Sequence, residues 1–191
     1  MESHNHKALK WLAVEWLYLI KDCKYIAQEL SFGRYIFDVV GSDGRKVYII
    51  EAKQDKSDFL RECNSFDEIK ESINNYKKLL KDTGDVEKYT KLIEVERDKS
   101  WKFNDESIHH YSSERYVICP DGMIKEEEVP YGWGLINEEP RSIVKSSISD
   151  VEQIKVDKII KEICGKNTRD LLRQYGVSFG KQIEFPTVIL E

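Results

Sequence analysis

Two runs of β-branched and aromatic residues, RYIFDVV (34–40) and KVYIIEAK (46–53), are joined by Gly41-Ser42-Asp43-Gly44. Such runs suit a pleated, half-buried surface, and the connection supplies the positive-φ residues of a tight turn. The pattern predicts an antiparallel hairpin. It carries Asp38 near the end of one strand and Glu51, Ala52 and Lys53 at the end of the next. Alternation puts Glu51 and Lys53 on one face and Ala52 on the other. Tyr48, Ile49 and Ile50 lead to Glu51, and Val39 and Val40 follow Asp38, so both carboxylates emerge from apolar sheet. An isolated carboxylate there is costly unless something pairs with it. A hard divalent cation answers that need, since Mg2+ prefers one or two carboxylates plus waters and a substrate phosphate. Lys53 is then placed to orient a water and to offset charge building on a phosphate. The plain alternative is a cross-strand ion pair on an exposed sheet face, which would contribute little.

The flanking elements fit an α/β domain. Residues 6–22 predict a helix from the spacing of Leu9, Leu12, Trp16 and Leu19. Trp11, Val14, Leu17 and Tyr18 make it apolar on nearly all sides, so it is expected to be well buried. A strand over 25–30 precedes the hairpin. From 54 to about 112 the chain turns charged and helical, with one stripe of Phe66, Ile69, Ile73, Tyr76 and Leu80. A second stripe starts after Asp82-Thr83-Gly84-Asp85, which predicts a surface helical hairpin. Strand signals return at 115–120, 132–137 and 141–145. Two last helices are expected, about 150–164 stopped by Gly165 and about 168–175 stopped by Gly176. At 191 residues there is room for one domain with an appendage.

Composition narrows the function classes. Hydrophobic residues are 40% and charged residues 34%, and the longest apolar run is broken by Glu15, well short of a bilayer span. The N-terminus has no cationic start or signal-type stretch. Cys23, Cys63, Cys119 and Cys164 are widely spaced, with no zinc pattern, and read as reduced cysteines of a cytoplasmic protein. A net charge of -5 is the wrong sign for nucleic-acid binding by bulk electrostatics. The local exception is 155–173, where Lys158, Lys166, Arg169 and Arg173 could track a phosphate backbone, unless they simply form a solvated face. Gln54 could reach a phosphate or base. His109-His110, His4 and His6 read as surface residues, and Asp58-Phe59 as the first turn of a helix.

The D-x12-E-x-K pattern on a hairpin after an N-terminal helix resembles the PD-(D/E)XK nuclease superfamily, and most closely the MmcB-type DNA-repair proteins. Gly33-Arg34, Asp58-Phe59, the RYVICP strand and the GWGLI strand carry the likeness, which covers about residues 5–145. Phe37 stands where the superfamily often has proline, and the stretch after Lys53 is longer than the resemblance leads one to expect. The resemblance implies a restriction-endonuclease-like mixed central sheet over 1–145, flanked by helices. A helical insertion would lie at about 64–112, and a C-terminal helical extension over 146–191 would pack on the core.

It also implies a Mg2+-dependent endonuclease, with Mn2+ as a substitute. Asp38, Glu51 and the Ala52 carbonyl would bind the ion, and Lys53 would position the attacking water. Members often carry an acid on the first helix. Glu15, expected to face inward, is the first choice for it, and Glu29 the competitor. Asn74 and Tyr76 would be second-helix residues near the cleft. The implied partner is nucleic acid, DNA ahead of RNA, in a repair, recombination or phage context, with a homodimer in keeping with duplex cutting. An RNA-directed nuclease and a non-cutting module that binds nucleic acid or a repair or phage protein stay open.

Overall fold

The computed structural model describes residues 3–32, 35–63, 66–97, 102–139 and 142–174. Helix α1 (His4–Leu19) starts where the Ser3 hydroxyl accepts the His6 N–H at 3.1 Å. Such a side-chain cap satisfies one of the amide donors that a helix start leaves free. Its buried face, Leu9, Ala13, Trp16 and Leu17, packs on Val39, Tyr48, Ile50, Ala52, Tyr116, Ile118 and Ile136 of the sheet.

That sheet has six strands in sequence order. The first three, β1 (Tyr25–Phe32), β2 (Tyr35–Ser42) and β3 (Val47–Ala52), form an antiparallel meander. Strand β4 (Glu114–Ile118) runs parallel to β3, β5 (Gly134–Ile136) parallel to β4, and β6 (Ser142–Val144) antiparallel to β5. Every residue of β3 and β4 is buried, as expected of central strands covered on both faces.

The crossover from β3 to β4 holds α2 (Lys56–Glu62), α3 (Phe66–Thr83) and α4 (Val86–Arg97). Helices α3 and α4 form the expected hairpin, turning at Gly84, whose φ is 72°, and burying Ile69 and Ile93. Helix α5 (Gln153–Gln174) covers the face opposite α1. Its Val156, Ile159 and Ile163 share a cluster with Leu30, Phe37, Val40 and Ile49. The architecture is therefore a mixed α/β fold: one six-stranded sheet between α1 and α5, with a helical hairpin in the β3–β4 crossover. No described helix is long and apolar enough to cross a membrane, and the four cysteines are free.

Three expectations are corrected. Helix α1 ends at Leu19, before Asp22 takes a left-handed φ of 52°. It is buried on one face only: Trp11 is 66% and Tyr18 65% exposed. The C-terminal pair of helices is one helix that continues through Gly165, because a lone glycine lowers helix propensity without forbidding the helix. Gly33-Arg34, Gly176 and the rest of the C-terminal extension beyond Gln174 lie outside the described residues.

The C-terminal end of α1 is clamped to the sheet by Lys21. Its Nζ donates to Glu114 Oε2 at 2.5 Å and to the Tyr116 hydroxyl at 3.2 Å. It also lies 5.1–5.2 Å from the ring centres of Trp16, Tyr48 and Tyr116. The Tyr116 ring can lie there because Gly134 stands beneath it on β5. A Cβ at 134 would come within 2.4 Å of the ring and 2.6 Å of the Val144 carbonyl, and the backbone cannot yield as a side-chain tip would. Gly134→Ala is expected to destabilise the fold by about 1–3 kcal/mol, as overpacking does. Thermal denaturation checks this, and a variant melting with the parent would contradict the assigned packing.

Candidate functional site

The ladder between β2 and β3 runs from Ser42–Val47 to Val39–Ile50 and stops there. Its next rung would set Asp38 opposite Glu51. On the other side of β2, rungs at Gln28–Val39 and Leu30–Phe37 flank a missing one, where Glu29 would face Asp38. Glu29 has φ 52°, a backbone conformation that a residue with a Cβ adopts at a cost. Phe37 and Val40, three residues apart, nonetheless pack in the same layer, so the pleat breaks between them. The strands diverge at the two carboxylates.

Asp38 fills the gap with its side chain. Its Oδ2 accepts the Ala52 N–H at 2.9 Å, replacing the missing rung. Lys10 Nζ lies 3.4 Å from Asp38 Oδ1 and 2.9 Å from Glu29 Oε1. His6 Nε2 lies 3.5 Å from Asp38 Oδ2 and 3.1 Å from the Ala52 carbonyl oxygen. Burial pushes the Asp38 carboxyl up, but the Ala52 N–H bond and the charges of His6 and Lys10 outweigh it and hold it below the usual range.

Glu51 is 1% exposed. Its Oε2 pairs with Lys102 Nζ at 2.7 Å, whereas Oε1 is buried without a hydrogen-bond partner. Lys102 sits on a short 3-10 turn, Lys102–Asn104, and donates to the Ile36 carbonyl at 2.8 Å. Burial pushes the Glu51 carboxyl from 4.5 to about 7, and Asp38 and Glu62 add to the rise against Lys102 and Lys53.

Lys53, 4% exposed, stands on the Glu51 side as alternation requires. Its ammonium meets α2, at 3.0 Å from Glu62 Oε1 and 3.4 Å from Asp58 Oδ2. Burial opposes its charge, but Glu51, Glu62 and Asp58 hold the pKa above the ordinary lysine value, so it stays an ammonium. Helix α2 is placed by its Asp55 cap and by Phe59, which is buried, so Asp58 does occupy a first helical turn. An open polar cleft of about 220 Å³, lined by His6, Gln54, Asp55, Ser57, Asp58 and Arg61, leads in from solvent.

The donor set fits a hard cation. An orphaned buried carboxylate oxygen on Glu51, the Asp38 carboxylate and the Ala52 carbonyl stand where the strands part, and such oxygens are what Mg2+ or Mn2+ takes. Among the described residues no three His, Cys, Asp or Glu side chains stand together as a ready-made metal cluster. An ion would therefore rest on two side chains and a carbonyl.

Other expected residues are elsewhere. Glu15 is exposed. At about 100° per residue it lies about 160° from the centre of the buried face, beside Trp11 and Tyr18, so the inward orientation is corrected. Glu29, through Lys10, is the acid that reaches the site. The Gln54 side-chain oxygen Oε1 accepts the Ser3 hydroxyl and so steadies the cap of α1. On α5, Lys166 and Arg173 pair with Asp170, and Lys158 lies 5.9 Å from the Phe32 ring centre. With Arg169 they ride the helix on the face opposite α1. Asn74 is exposed and Tyr76 half-buried on α3, away from the carboxylates' described contacts.

The reading of His6 as a surface residue is corrected, since its ring is partly buried against Asp38 and the Ala52 carbonyl. Lys10, Glu62 and Lys102 also border the site, and none of the three is singled out in the sequence. For His6 and Lys10 a signal existed, since 6, 10, 13 and 17 recur on one helical stripe. Lys102 had none.

No family model matches the chain, and no curated protein matches it. Among solved structures it is similar to the SPO1766 protein of unknown function from Silicibacter pomeroyi. The two are 12% identical, and the match covers 95% of this chain and 100% of that one with a TM-score of 0.60. At that identity the likeness shows a shared fold.

Glu51 gives a pH test. With its pKa raised from 4.5 to about 7, its contribution to stability is fully present below pH 4.5 and is lost as the pH rises through about 7. Urea unfolding should show the parent losing on the order of 3 kcal/mol relative to Glu51→Gln across that window. Parallel curves for the two proteins would contradict the burial of the Glu51 carboxyl.

Proposed function

We propose that the chain is a divalent-metal-dependent nuclease of the PD-(D/E)XK type, on a restriction-endonuclease-like core, that hydrolyses phosphodiester bonds in DNA. One observation carries the reading: the β2–β3 ladder stops at Val39–Ile50, short of Asp38 and Glu51, and one Glu51 oxygen is buried with no hydrogen-bond partner. The order of elements supports it, a helix and three antiparallel strands followed by a fourth strand parallel to the third. So does the resemblance to the MmcB-type repair proteins.

Asp38, Glu51 and the Ala52 carbonyl would hold the ion. When bound, such an ion polarises a phosphoryl oxygen and makes hydroxide available near neutral pH. The chain's own residues do the rest. Asp38 is kept ionised by the Ala52 N–H and its cationic neighbours. Lys53 is kept protonated, so it donates a hydrogen bond to an attacking water or a phosphate oxygen and does not act as the base. Glu62 and Asp58 fix its ammonium at the rim of the polar cleft.

A second reading, a module that binds nucleic acid or a repair or phage protein without cutting, draws on a specific observation. Lys102 already neutralises Glu51, and Lys53 is committed to Glu62. The test is cleavage of single-stranded, duplex and branched DNA and of RNA with Mg2+ or Mn2+. Lys53→Ala should lose about 100-fold or more, while Glu15→Ala, on the far face of α1, should cut like the parent. Absence of cleavage by the folded parent on every substrate would overturn the nuclease reading and leave the binding module.

A further inference from the structure

Arg115, on β4, is a fully buried cation with which no carboxylate pairs among the described residues. Its Nη1 donates to the Ser112 carbonyl and hydroxyl and to the Ser149 hydroxyl, and Nη2 to the Gly132 carbonyl and the Ser147 carbonyl and hydroxyl. All are neutral oxygens, at 2.9–3.5 Å. Nε is buried with no hydrogen-bond partner. A charge so placed is costly until an anion meets it. Gly132, with φ 81°, lies in a turn closed by the Trp133 N–H on the Pro130 carbonyl at 3.0 Å. A Cβ there would meet Ser147 Oγ at 3.1 Å, His109 Cε1 at 3.3 Å and Arg115 Nη2 at 3.6 Å. The glycine therefore leaves a notch where a hydroxyl, an imidazole and the guanidinium meet, and Ser147 is exposed. His109 also lines an open cavity of about 440 Å³, with Phe103, Asn104, Glu106, His110 and Tyr131. The field of Arg115 reaches that wall: burial first, and then the Arg115 charge, hold the His109 imidazole below its ordinary pKa. Tyr131 is 91% exposed, the kind of aromatic face on which a base stacks.

We infer that this cavity binds a nucleoside monophosphate, free or at the end of a strand, with its phosphate at the His109–Ser147 notch over Arg115 and its base on Tyr131. The volume is that of a small-molecule site. Hydrogen bonds from a guanidinium to phosphate oxygens are among the strong ones, and Glu106 and His110 offer polar groups to the base or sugar. The Phe103 ring, whose centre lies 5.9 Å from Lys53 Nζ, stands between the cavity and the proposed cleavage site, so the ligand uses none of that site's carboxylates. The rival role is structural, with Arg115 tying the segments at 112, 132 and 147–149 together and no ligand bound.

The experiment is calorimetry and histidine-resolved NMR of the full chain in EDTA, with deoxyadenosine monophosphate, deoxyadenosine and inorganic phosphate as probes. It compares the parent with Tyr131→Ala, His109→Ala and Ser147→Ala, none of which touches a buried residue. The parent should bind the monophosphate about tenfold or more tightly than the nucleoside, and the His109 Cε1–H signal should move with the monophosphate and with phosphate. Tyr131→Ala should weaken the monophosphate about tenfold and leave phosphate within about twofold. His109→Ala and Ser147→Ala should weaken both about fivefold. Competition by a single-stranded oligonucleotide with a terminal phosphate, but not by its hydroxyl-ended twin, identifies the ligand as a strand end. Monophosphate binding without that competition identifies a free nucleotide. No saturation of the folded parent by monophosphate or phosphate up to about 10 mM overturns the inference. So does deoxyadenosine bound as tightly as its monophosphate, or affinities unchanged in both Tyr131→Ala and His109→Ala. Each of those results leaves the nuclease reading, which cleavage tests, where it stood.

Discussion

Burying the Glu51 carboxyl at the end of a fully buried strand is the constraint from which the rest of the site follows. Strand β3 is covered on both faces, so alternation that sends Ile50 and Ala52 toward α1 must send Glu51 into the opposite layer. A charge in that layer is unstable without a partner, and the chain answers from 51 residues away with Lys102. Lys102 is itself buried and donates a hydrogen bond to the Ile36 carbonyl. The long crossover is thus tied to the hairpin by charge as well as by Phe103, whose ring packs on Phe59 and Trp133.

The same economy shapes the neighbouring strand. A sheet that continued past Val39–Ile50 would pair Asp38 and Glu51 across a closed rung and leave no opening. Instead Asp38 takes the Ala52 N–H with its side chain, Glu29 accepts a left-handed backbone, and the freed Ala52 carbonyl faces His6. Strained backbone of this kind gathers at working sites, where surrounding structure holds it. Here Lys10 does so by joining Glu29 to Asp38 from α1. The helix is fixed at both ends, by Lys10 and His6 at the site and by Lys21 among Trp16, Tyr48 and Tyr116 at the other end.

Much of this was legible along the chain because it is local. A period of two exposes Asp38, Glu51 and Lys53 in the hairpin, and the turn residues set its register. The orientation of α1 was less legible: apolar residues all round the wheel gave Trp11 and Tyr18 equal standing with Leu9 and Ala13. A lysine and a histidine on the inward face look like surface residues until their carboxylates are in place. Glu15 was misread for that reason. Lys102 and Glu62 were beyond reach, since their roles come from tertiary contacts that no periodicity encodes. Gly165 misled through propensity, which packing of Val156, Ile159 and Ile163 overrides.

The central claim is that the parting of β2 and β3 is a cation site. Anomalous diffraction from crystals of the full chain grown with Mn2+ tests it most directly. The account predicts a manganese peak bounded by Asp38, Glu51 and the Ala52 carbonyl, within bonding distance of the Glu51 oxygen that lacks a partner. Crystals that bind manganese only elsewhere, with Lys102 still closing on Glu51 and Asp38 still held by the Ala52 N–H, would contradict it.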